Sequence, residues 1–189
     1  NAFHTGQRVM GVTAFIEGYG GFAEEALVYE HNAFAVPADM SDAEAAVFSI
    51  AYRTGYVALV IRGQMKAGET LLVHGAAGGT GAAAIQLGKA LGGRVIAVAS
   101  GALKTQKCLG FGADEVVDSS REDFVERVHV LTGGAGVDLV YDPVGGDTFS
   151  RSLNCLNFGG RLLAIGFASG AWSHAPTQDL VLNNRSVIG

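Results

Sequence analysis

The segment that most constrains the fold of this chain is residues 70–91, TLLVHGAAGGTGAAAIQLGKAL. Its first four residues are apolar or β-branched, which predicts a short strand buried on both faces. Four glycines follow within seven residues, at positions 75, 78, 79 and 81, and an alanine-rich stretch with larger apolar residues at helical spacing comes next. The segment therefore predicts a strand, a glycine-rich turn and a helix, in that order.

A turn of this kind can hold a diphosphate. Because the glycines carry no side chains, an anion can approach the backbone, where the free N–H groups and the positive dipole end of the helix attract it. The spacing differs from the G-x-G-x-x-G pattern, because Ala77 and Thr80 stand where that pattern has glycine. A tight turn without a ligand is the alternative, but the strand before it and the helix after it favour a dinucleotide site.

Strands and helices alternate along the rest of the chain. We predict strands at residues 94–99, 115–117, 137–141, 161–165 and from 186, and helices at 103–111, 123–132, 147–156 and 178–183. This spacing is typical of an α/β fold with a doubly wound parallel sheet, the Rossmann arrangement. Ligands bind beyond the carboxyl ends of the strands in such sheets.

The beginning of the chain has a different pattern. Predicted strands at residues 7–10 and 21–29, separated by a glycine-rich turn, indicate a β-rich unit. Ser41 and Glu44 then form a capping box, which predicts a helix to about residue 50. A second helix is expected at about residues 56–65.

Composition excludes several classes of function. The net charge is −5 and no basic cluster occurs, so neither nucleic acid nor an anionic membrane surface is an expected partner. We expect no membrane span, because no apolar run approaches the ~20 residues that one needs. The two cysteines, Cys108 and Cys155, are interpreted as packing thiols, and a reducing, cytoplasmic compartment is expected. Both ends look cut, which predicts a segment of a longer protein.

The ordered motifs of the chain resemble a known superfamily. They are GQRVMG, TGYVAL, KAGETLLVHGAAGGTGAAAIQLGKALG, LGFGADEVVD, GVDLVYDPVGG and GGRLLAIGFASG. Their succession resembles the medium-chain dehydrogenase/reductase superfamily and, within it, the zinc-free NADPH:quinone reductase (zeta-crystallin-like) branch. The resemblance implies that residues 1–36 are the C-terminal part of a GroES-like catalytic domain. It implies that residues 37–189 are a Rossmann nucleotide-binding domain truncated at its last strand.

The resemblance also bears on metal binding. Zinc-dependent members carry a catalytic cysteine four residues before the threonine of the T-G-Y motif, which is Thr54 here, and Ile50 occupies that position. Those members also insert a lobe with four cysteines, whereas residues 11–21 contain none. Zinc needs nitrogen, sulfur or oxygen ligands, so we expect no metal.

The end of the second predicted strand bears on the choice of cofactor. NAD enzymes usually have an acidic residue there, which accepts from the ribose 2′-hydroxyl. This chain has Ser100, with Lys104 four residues later, an arrangement that resembles NADPH-dependent members and suits a 2′-phosphate. A helix N-cap is the alternative role for Ser100, and a solvated surface position is the alternative for Lys104.

Other positions are assigned through the resemblance. It implies that Thr54 lies near the nicotinamide carboxamide and that Ser119 lies near the adenine edge. The diphosphate turn and the loops flanking the nicotinamide account for the remaining cofactor positions, Gly78, Gly79, Thr80, Val144, Gly166, Phe167 and Ala168. Plain packing or turn roles are the alternatives for Ser119 and Phe167. His74 is expected to be a packed strand-end residue, and Trp172 is expected near the cofactor.

The function implied is hydride transfer from NADPH to a quinone or an α,β-unsaturated carbonyl. No catalytic residue is assigned, because in this branch the polar side chains that face the substrate come largely from upstream of this segment. An enoyl reductase of the acyl-chain or polyketide type is the alternative enzyme. A dinucleotide-binding module without turnover is the alternative outside enzymes. The resemblance further implies a homodimer of the full-length protein, formed through the strand that begins at Val187.

Overall fold

A computed structural model describes residues 2–189 of the chain, which divide into two compact units. One unit extends to Arg53 and the other runs from Thr54 to Gly189. This boundary differs from the division at residues 36 and 37 that the sequence led us to expect. The assignment of residues 1–36 to a GroES-like domain stays a prediction.

The first unit contains little regular strand. Strands β1 (Val9–Gly11) and β2 (Ala33–Ala35) pair antiparallel, and two short 3-10 helices, Phe15–Glu17 and Glu30–Asn32, lie between them in sequence. The strand predicted at residues 21–29 is wrong, because that stretch is irregular and exposed. The strand predicted at residues 7–10 is displaced by about two residues.

Helix α1 (Asp42–Tyr56) begins as the capping box predicts. The Ser41 hydroxyl accepts from the Glu44 backbone N–H, and the Glu44 carboxylate accepts from the Ser41 N–H at 2.9 Å. This reciprocal pair satisfies two N–H groups that the first turn leaves without helical partners. The helix does not stop near residue 50. It runs into a π-helix, Val57–Arg62, so the two helices predicted here are one continuous helical segment.

The helical segment Asp42–Arg62 bears on the expectation that the chain has no membrane span. It has 21 residues, and among residues 2–189 it is the one helical stretch long and apolar enough to cross a membrane. A core helix of a globular domain passes the same test of length and composition. Ala58 and Leu59 of this segment are buried among core residues of the second unit.

The second unit is built on six parallel strands, as the alternation of elements predicts. They are β3 (Thr70–Val73), β4 (Arg94–Ala99), β5 (Glu115–Asp118), β6 (Val137–Asp142), β7 (Leu156–Ala164) and β8 (Ser186–Ile188). Their order across the sheet is β5-β4-β3-β6-β7-β8, so the order reverses between β3 and β6. This topology is that of a Rossmann fold, and the reversal leaves a crevice at the carboxyl ends of its central strands.

Helices cover both faces of this sheet, because successive strand residues point to opposite sides. The helices are α2 (Gly79–Ala90), α3 (Ala102–Gly110), α4 (Phe124–Leu131), α5 (Gly146–Ser152) and α6 (Thr177–Leu182). Leu71 and Val73 of β3 face one core cluster, with Ile85 of α2, whereas Leu72 faces the other, with Phe124 of α4. Cys108 and Cys155 are buried free thiols, one in each cluster, as expected of packing residues.

Candidate functional site

An open cleft of about 500 Å³ lies at the carboxyl ends of β3, β4, β5 and β6. Parallel sheets bind ligands at this edge, where the strand order reverses. The residues that line the cleft are His74, Gly75, Ala77, Gly78, Val98, Ala99, Ser100, Lys104, Ser119, Phe124, Val144 and Thr148. The cleft therefore brings together predicted site residues from four separate stretches of the chain.

The glycine turn forms one wall of the cleft. Gly75 has a φ of +56°, and Gly78 is the N-cap of α2. A Cβ on Gly81 would lie 2.4 Å from the Gly75 carbonyl oxygen, so this glycine is required for the turn to close on itself. A Cβ on Gly79 would meet no protein atom within 4 Å. The turn is therefore tight on its inner side and open at Gly79.

The N-terminus of α2 adds a positive electrostatic potential to this wall. Gly79 and Thr80 are its first residues, and its first turn, all of which the structure describes, contains no acidic side chain. The first N–H groups of a helix have no partners within it and attract anions. The geometry of the turn fits the diphosphate of a dinucleotide.

Ser100 and Lys104 form another part of the cleft lining. The N-cap position of α3 belongs to Gly101 and not to Ser100, so helix capping does not engage the Ser100 hydroxyl. Among residues 2–189, the side-chain ammonium of Lys104 has no hydrogen-bond or ion-pair partner. Both side chains line the cleft, and a hydroxyl with a free ammonium group is suited to bind a phosphate.

The carboxylate of Asp118 lies at the end of β5, beside these two residues. One of its oxygens accepts from the backbone N–H of Gly101 at 2.8 Å and from the Ser120 hydroxyl at 2.6 Å. These bonds hold the pKa of Asp118 below its usual range, with the Ser120 contact contributing most. Ser119, the next residue, lines the cleft.

His74 forms part of the cleft floor at the end of β3. Its side chain is buried, its Nε2 lies 2.7 Å from the Ser152 Oγ, and its ring meets the edge of Phe124. Burial, assisted by the positive charge of Arg151, lowers the pKa of His74 to about 3. The imidazole is therefore neutral at physiological pH, and its burial agrees with the packed role expected from the sequence.

A buried carboxylate, Asp142, organises the turn that carries Val144. One Asp142 oxygen accepts from the N–H groups of Val144 at 2.8 Å and Gly145 at 3.1 Å. Burial raises the pKa of Asp142, and these two bonds act against that increase. Val144 reaches the cleft, so this turn presents an apolar side chain next to the glycine turn.

The loop after β7 is joined to this turn by backbone hydrogen bonds. The N–H of Ala168 donates to the Pro143 carbonyl at 3.0 Å, and the N–H of Ser169 donates to the Val144 carbonyl at 2.9 Å. Within the loop the rings of Phe167 and Trp172 are in contact, with centroids 4.0 Å apart and planes tilted by 32°. Both residues are exposed, so the loop presents this pair at the surface.

The structure thus places five of the predicted cofactor residues in the lining of one cleft: Gly78, Ser100, Lys104, Ser119 and Val144. Gly79 and Thr80 adjoin them in α2, and Gly166, Phe167 and Ala168 adjoin Val144 through the loop after β7. Thr54 lies in α1 and is not among the lining residues. Their roles in binding remain predictions.

Some residues of the site were not assigned from the sequence. The carboxylates of Asp118 and Asp142 act on backbone N–H groups, and Phe124 and Thr148 reach the cleft from α4 and α5. The sequence signal for the two aspartates was position, since each directly follows a predicted strand. Within residues 2–189 no group of three or more histidine, cysteine or acidic side chains could hold a metal ion.

Comparison with known proteins supports this description. The family model of zinc-binding dehydrogenases matches residues 79–189. Quinone oxidoreductase-like protein 2 of Bos taurus is 38% identical over 185 residues, which are 97% of this chain and 52% of the relative. The Homo sapiens quinone oxidoreductase is 31% identical over 189 residues, 100% of this chain and 56% of the relative. The chain thus spans about half the length of the curated relatives it matches.

Solved structures agree. A mycobacterial protein complexed with NADPH has a TM-score of 0.89 at 34% identity, covering 99% of this chain and 57% of that one. The Thermus thermophilus quinone oxidoreductase, solved alone and with NADPH, has a TM-score of 0.85 at 34% identity. The match covers 99% of this chain and 58% of that one. The CurK enoyl reductase has a TM-score of 0.75 at 30% identity, and the match covers 85% of this chain and 47% of that one.

The family model accounts for more than half of the chain, from the first residue of α2 to the last residue of the sequence. The parallel six-stranded sheet with flanking helices matches the fold of these solved relatives. The chain therefore belongs to the zinc-binding dehydrogenase family, within the medium-chain dehydrogenase/reductase superfamily.

Proposed function

We propose that this chain supplies the NADPH-binding part of an oxidoreductase that reduces a quinone or an α,β-unsaturated carbonyl. The observation that carries the proposal is the cleft that brings the open glycine turn together with Ser100 and Lys104. Relatives with the same fold were solved with NADPH, and curated relatives are named quinone oxidoreductases. Bound NADPH would supply the hydride.

The glycine turn and the pair Ser100 and Lys104 would hold the two anionic groups of the cofactor. The backbone at Gly78, Gly79 and Thr80 suits the diphosphate, since nothing in the protein occupies the space next to Gly79. Ser100 and Lys104 suit the 2′-phosphate, because neither is engaged by helix capping or an ion pair within the described chain. Ser119 would then lie near the adenine.

Val144 and the loop residues Gly166, Phe167 and Ala168 would flank the nicotinamide. Backbone bonds fix the loop against the turn, so the ring would meet a preformed, largely apolar surface. Such a surface orients the ring and excludes water from the reacting face. Thr54 is proposed to contact the carboxamide. No side chain of this chain is assigned as a catalytic acid.

We propose that the reaction is independent of zinc. The family name implies zinc, but Ile50 occupies the expected ligand position and offers no donor atom. The residues described also assemble no group of three donors. Tetrahedral zinc sites use nitrogen, sulfur or oxygen ligands, so the described residues do not fit the metal. We further propose a cytoplasmic homodimer that needs neither nucleic acid nor membrane.

An enoyl reductase is the second candidate, because the CurK enoyl reductase shares the fold at 30% identity. The two candidates differ in the acceptor. A quinone is a planar ring, whereas an enoyl substrate is an acyl chain with a conjugated double bond. The residues that line the cleft do not distinguish these acceptors, so the choice depends on measured turnover.

The test is oxidation of NADPH by the protein with three acceptors, namely a benzoquinone, a short α,β-unsaturated ketone and a 2-enoyl thioester. We expect the quinone or the ketone to be reduced faster than the thioester, with no change on adding a zinc chelator. Preference for the thioester would favour the enoyl reductase. NADPH binding without oxidation by any acceptor would indicate a dinucleotide-binding module without turnover.

A further inference from the structure

We propose that Asp118 is the positioning residue of the subsite that selects NADPH over NADH. This inference rests on the proposed function, in which Ser100 and Lys104 bind the 2′-phosphate. Asp118 does not line the cleft. It acts by fixing the backbone that carries the phosphate-binding side chains.

The register of the sheet brings Asp118 next to the residues that follow β4. Strands β4 and β5 pair in parallel, with Ala99 opposite Asp118, so both strands end side by side. The same Asp118 oxygen accepts three hydrogen bonds, from the Gly101 N–H at 2.8 Å, the Ser120 N–H at 3.0 Å and the Ser120 hydroxyl at 2.6 Å. The carboxylate therefore joins the loops that follow the two strands.

These bonds leave Ser100 fixed on both sides. Before it, the Ala99 carbonyl accepts from the Ser119 N–H at 3.0 Å, and after it, the Gly101 N–H donates to Asp118. Gly101 has a φ of +90°, a left-handed conformation in which side-chain-bearing residues are strained. Without the bond to Asp118, nothing else described in the structure accepts from the Gly101 N–H.

The position of Lys104 also depends on Gly101. The Gly101 carbonyl accepts from the backbone N–H groups of Lys104 and Thr105, both at 3.1 Å, and so begins helix α3. The bond from Gly101 to Asp118 thus sets where the first turn of α3 starts. Because Lys104 lies in that turn, Asp118 fixes the backbone from which both phosphate-binding side chains extend.

The charge of Asp118 makes the proposal testable. A carboxylate near a 2′-phosphate repels it, so charge alone predicts that removing Asp118 strengthens NADPH binding. Positioning predicts the opposite, because a displaced Ser100 and Lys104 lose their shared geometry. The two explanations therefore give effects of opposite sign on the same measurement.

The experiment compares NADPH and NADH dissociation constants for the wild-type protein and the variants Asp118→Ala and Asp118→Asn. Asparagine keeps a carbonyl oxygen for the three donors and removes the charge. We expect Asp118→Ala to weaken NADPH binding by about tenfold with little change for NADH, as loss of well-placed charged contacts does. Asp118→Asn is expected to bind NADPH at least as tightly as the wild type.

Asp114→Ala is the matched control. Asp114 also accepts a hydrogen bond from a backbone N–H of the neighbouring strand, that of Val95 at 2.7 Å. It lies just before β5, at the amino ends of the strands, whereas the cleft lies at their carboxyl ends. We expect this variant to lose stability and to keep the wild-type ratio of the two constants. If Asp118→Ala does not fold, Ser120→Ala takes its place, because it removes one of the three donors to Asp118. The ratio of the NADH dissociation constant to the NADPH dissociation constant should then fall by roughly threefold.

The inference is overturned if Asp118→Ala, or Ser120→Ala in its place, keeps the wild-type preference or binds NADPH more tightly. It is also overturned if Asp114→Ala loses the preference as Asp118→Ala does. In these cases the proposed function stands, because the wild type still prefers NADPH. A wild-type protein that binds both cofactors equally contradicts the proposed function itself and this inference with it.

Discussion

The Nε2 of His74 lies 2.7 Å from the Oγ of Ser152, although the two residues are 78 positions apart in sequence. Ser152 Oγ also donates to the Thr148 carbonyl at 2.6 Å. A hydroxyl has a single hydrogen, and it is engaged by that carbonyl. The histidine must therefore donate from Nε2, which defines the tautomer of the buried imidazole.

The burial of His74 predicts that stability depends on pH. The folded-state pKa is about 3 and the ordinary value is 6.5, so below pH 6.5 the unfolded chain binds a proton that the native protein does not. The free energy of unfolding should therefore fall as pH is lowered, and His74 alone accounts for about 2 kcal/mol by about pH 5. Urea denaturation of the wild type at neutral pH and near pH 5 measures the loss.

The variant His74→Gln isolates this contribution. Glutamine can still donate to Ser152 but has no titrating group in this range. Its stability should depend less on pH than that of the wild type. Identical pH dependence of the two proteins would show that His74 titrates normally in the folded state.

Two glycines of the turn should respond differently to alanine. Gly81→Ala places a Cβ 2.4 Å from the Gly75 oxygen and 2.7 Å from the Ala76 Cα, both backbone atoms. We expect it to lower the free energy of unfolding by about 1–3 kcal/mol. Gly79→Ala meets no protein atom within 4 Å, so its stability should stay within about 0.5 kcal/mol of wild type.

Gly79→Ala should nevertheless weaken NADPH binding by about tenfold or more, because its methyl group would occupy the space proposed for the diphosphate. Thermal unfolding and calorimetric titration of both variants measure the two effects separately. Unchanged NADPH affinity in Gly79→Ala would mean that no anion approaches the turn at this position.

Lys104→Gln should reduce NADPH affinity by about tenfold and leave NADH affinity unchanged, because the ammonium would lose its contact with the 2′-phosphate. Lys107→Gln is the control, since Lys107 lies on the same helix and does not line the cleft. Equal losses for both cofactors in Lys104→Gln would point to a general electrostatic effect. Equal losses of NADPH affinity in Lys104→Gln and Lys107→Gln would also point to a general electrostatic effect.

Local patterns predicted the central elements well. The central strand TLLV and the strand RVIAVA have the predicted boundaries, and the capping box begins α1 at Asp42, because these features depend on neighbouring residues. The strand predicted at residues 21–29 was wrong, because this stretch finds no partner strand and Ala33–Ala35 pairs with β1 instead.

The contacts that shape the cleft could not be predicted in the same way. Asp118 reaches Gly101 only because β4 and β5 pair in parallel with Ala99 opposite Asp118. Helix capping by Ser100 was a reasonable alternative from sequence, and the placement of Gly101 at the N-cap excludes it. Such facts depend on sheet register and backbone angles, which residue types alone do not define.

The measurement that tests the central claim most directly is a titration of the protein with NADPH and, separately, with NADH. The chain has one tryptophan, Trp172, which lies on Phe167 beside the proposed nicotinamide site, so its emission and energy transfer to the reduced cofactor report binding. We expect tight NADPH binding and weak NADH binding. Equal affinities would contradict the 2′-phosphate site at Ser100 and Lys104, and failure to bind either cofactor would contradict the proposed function of the cleft.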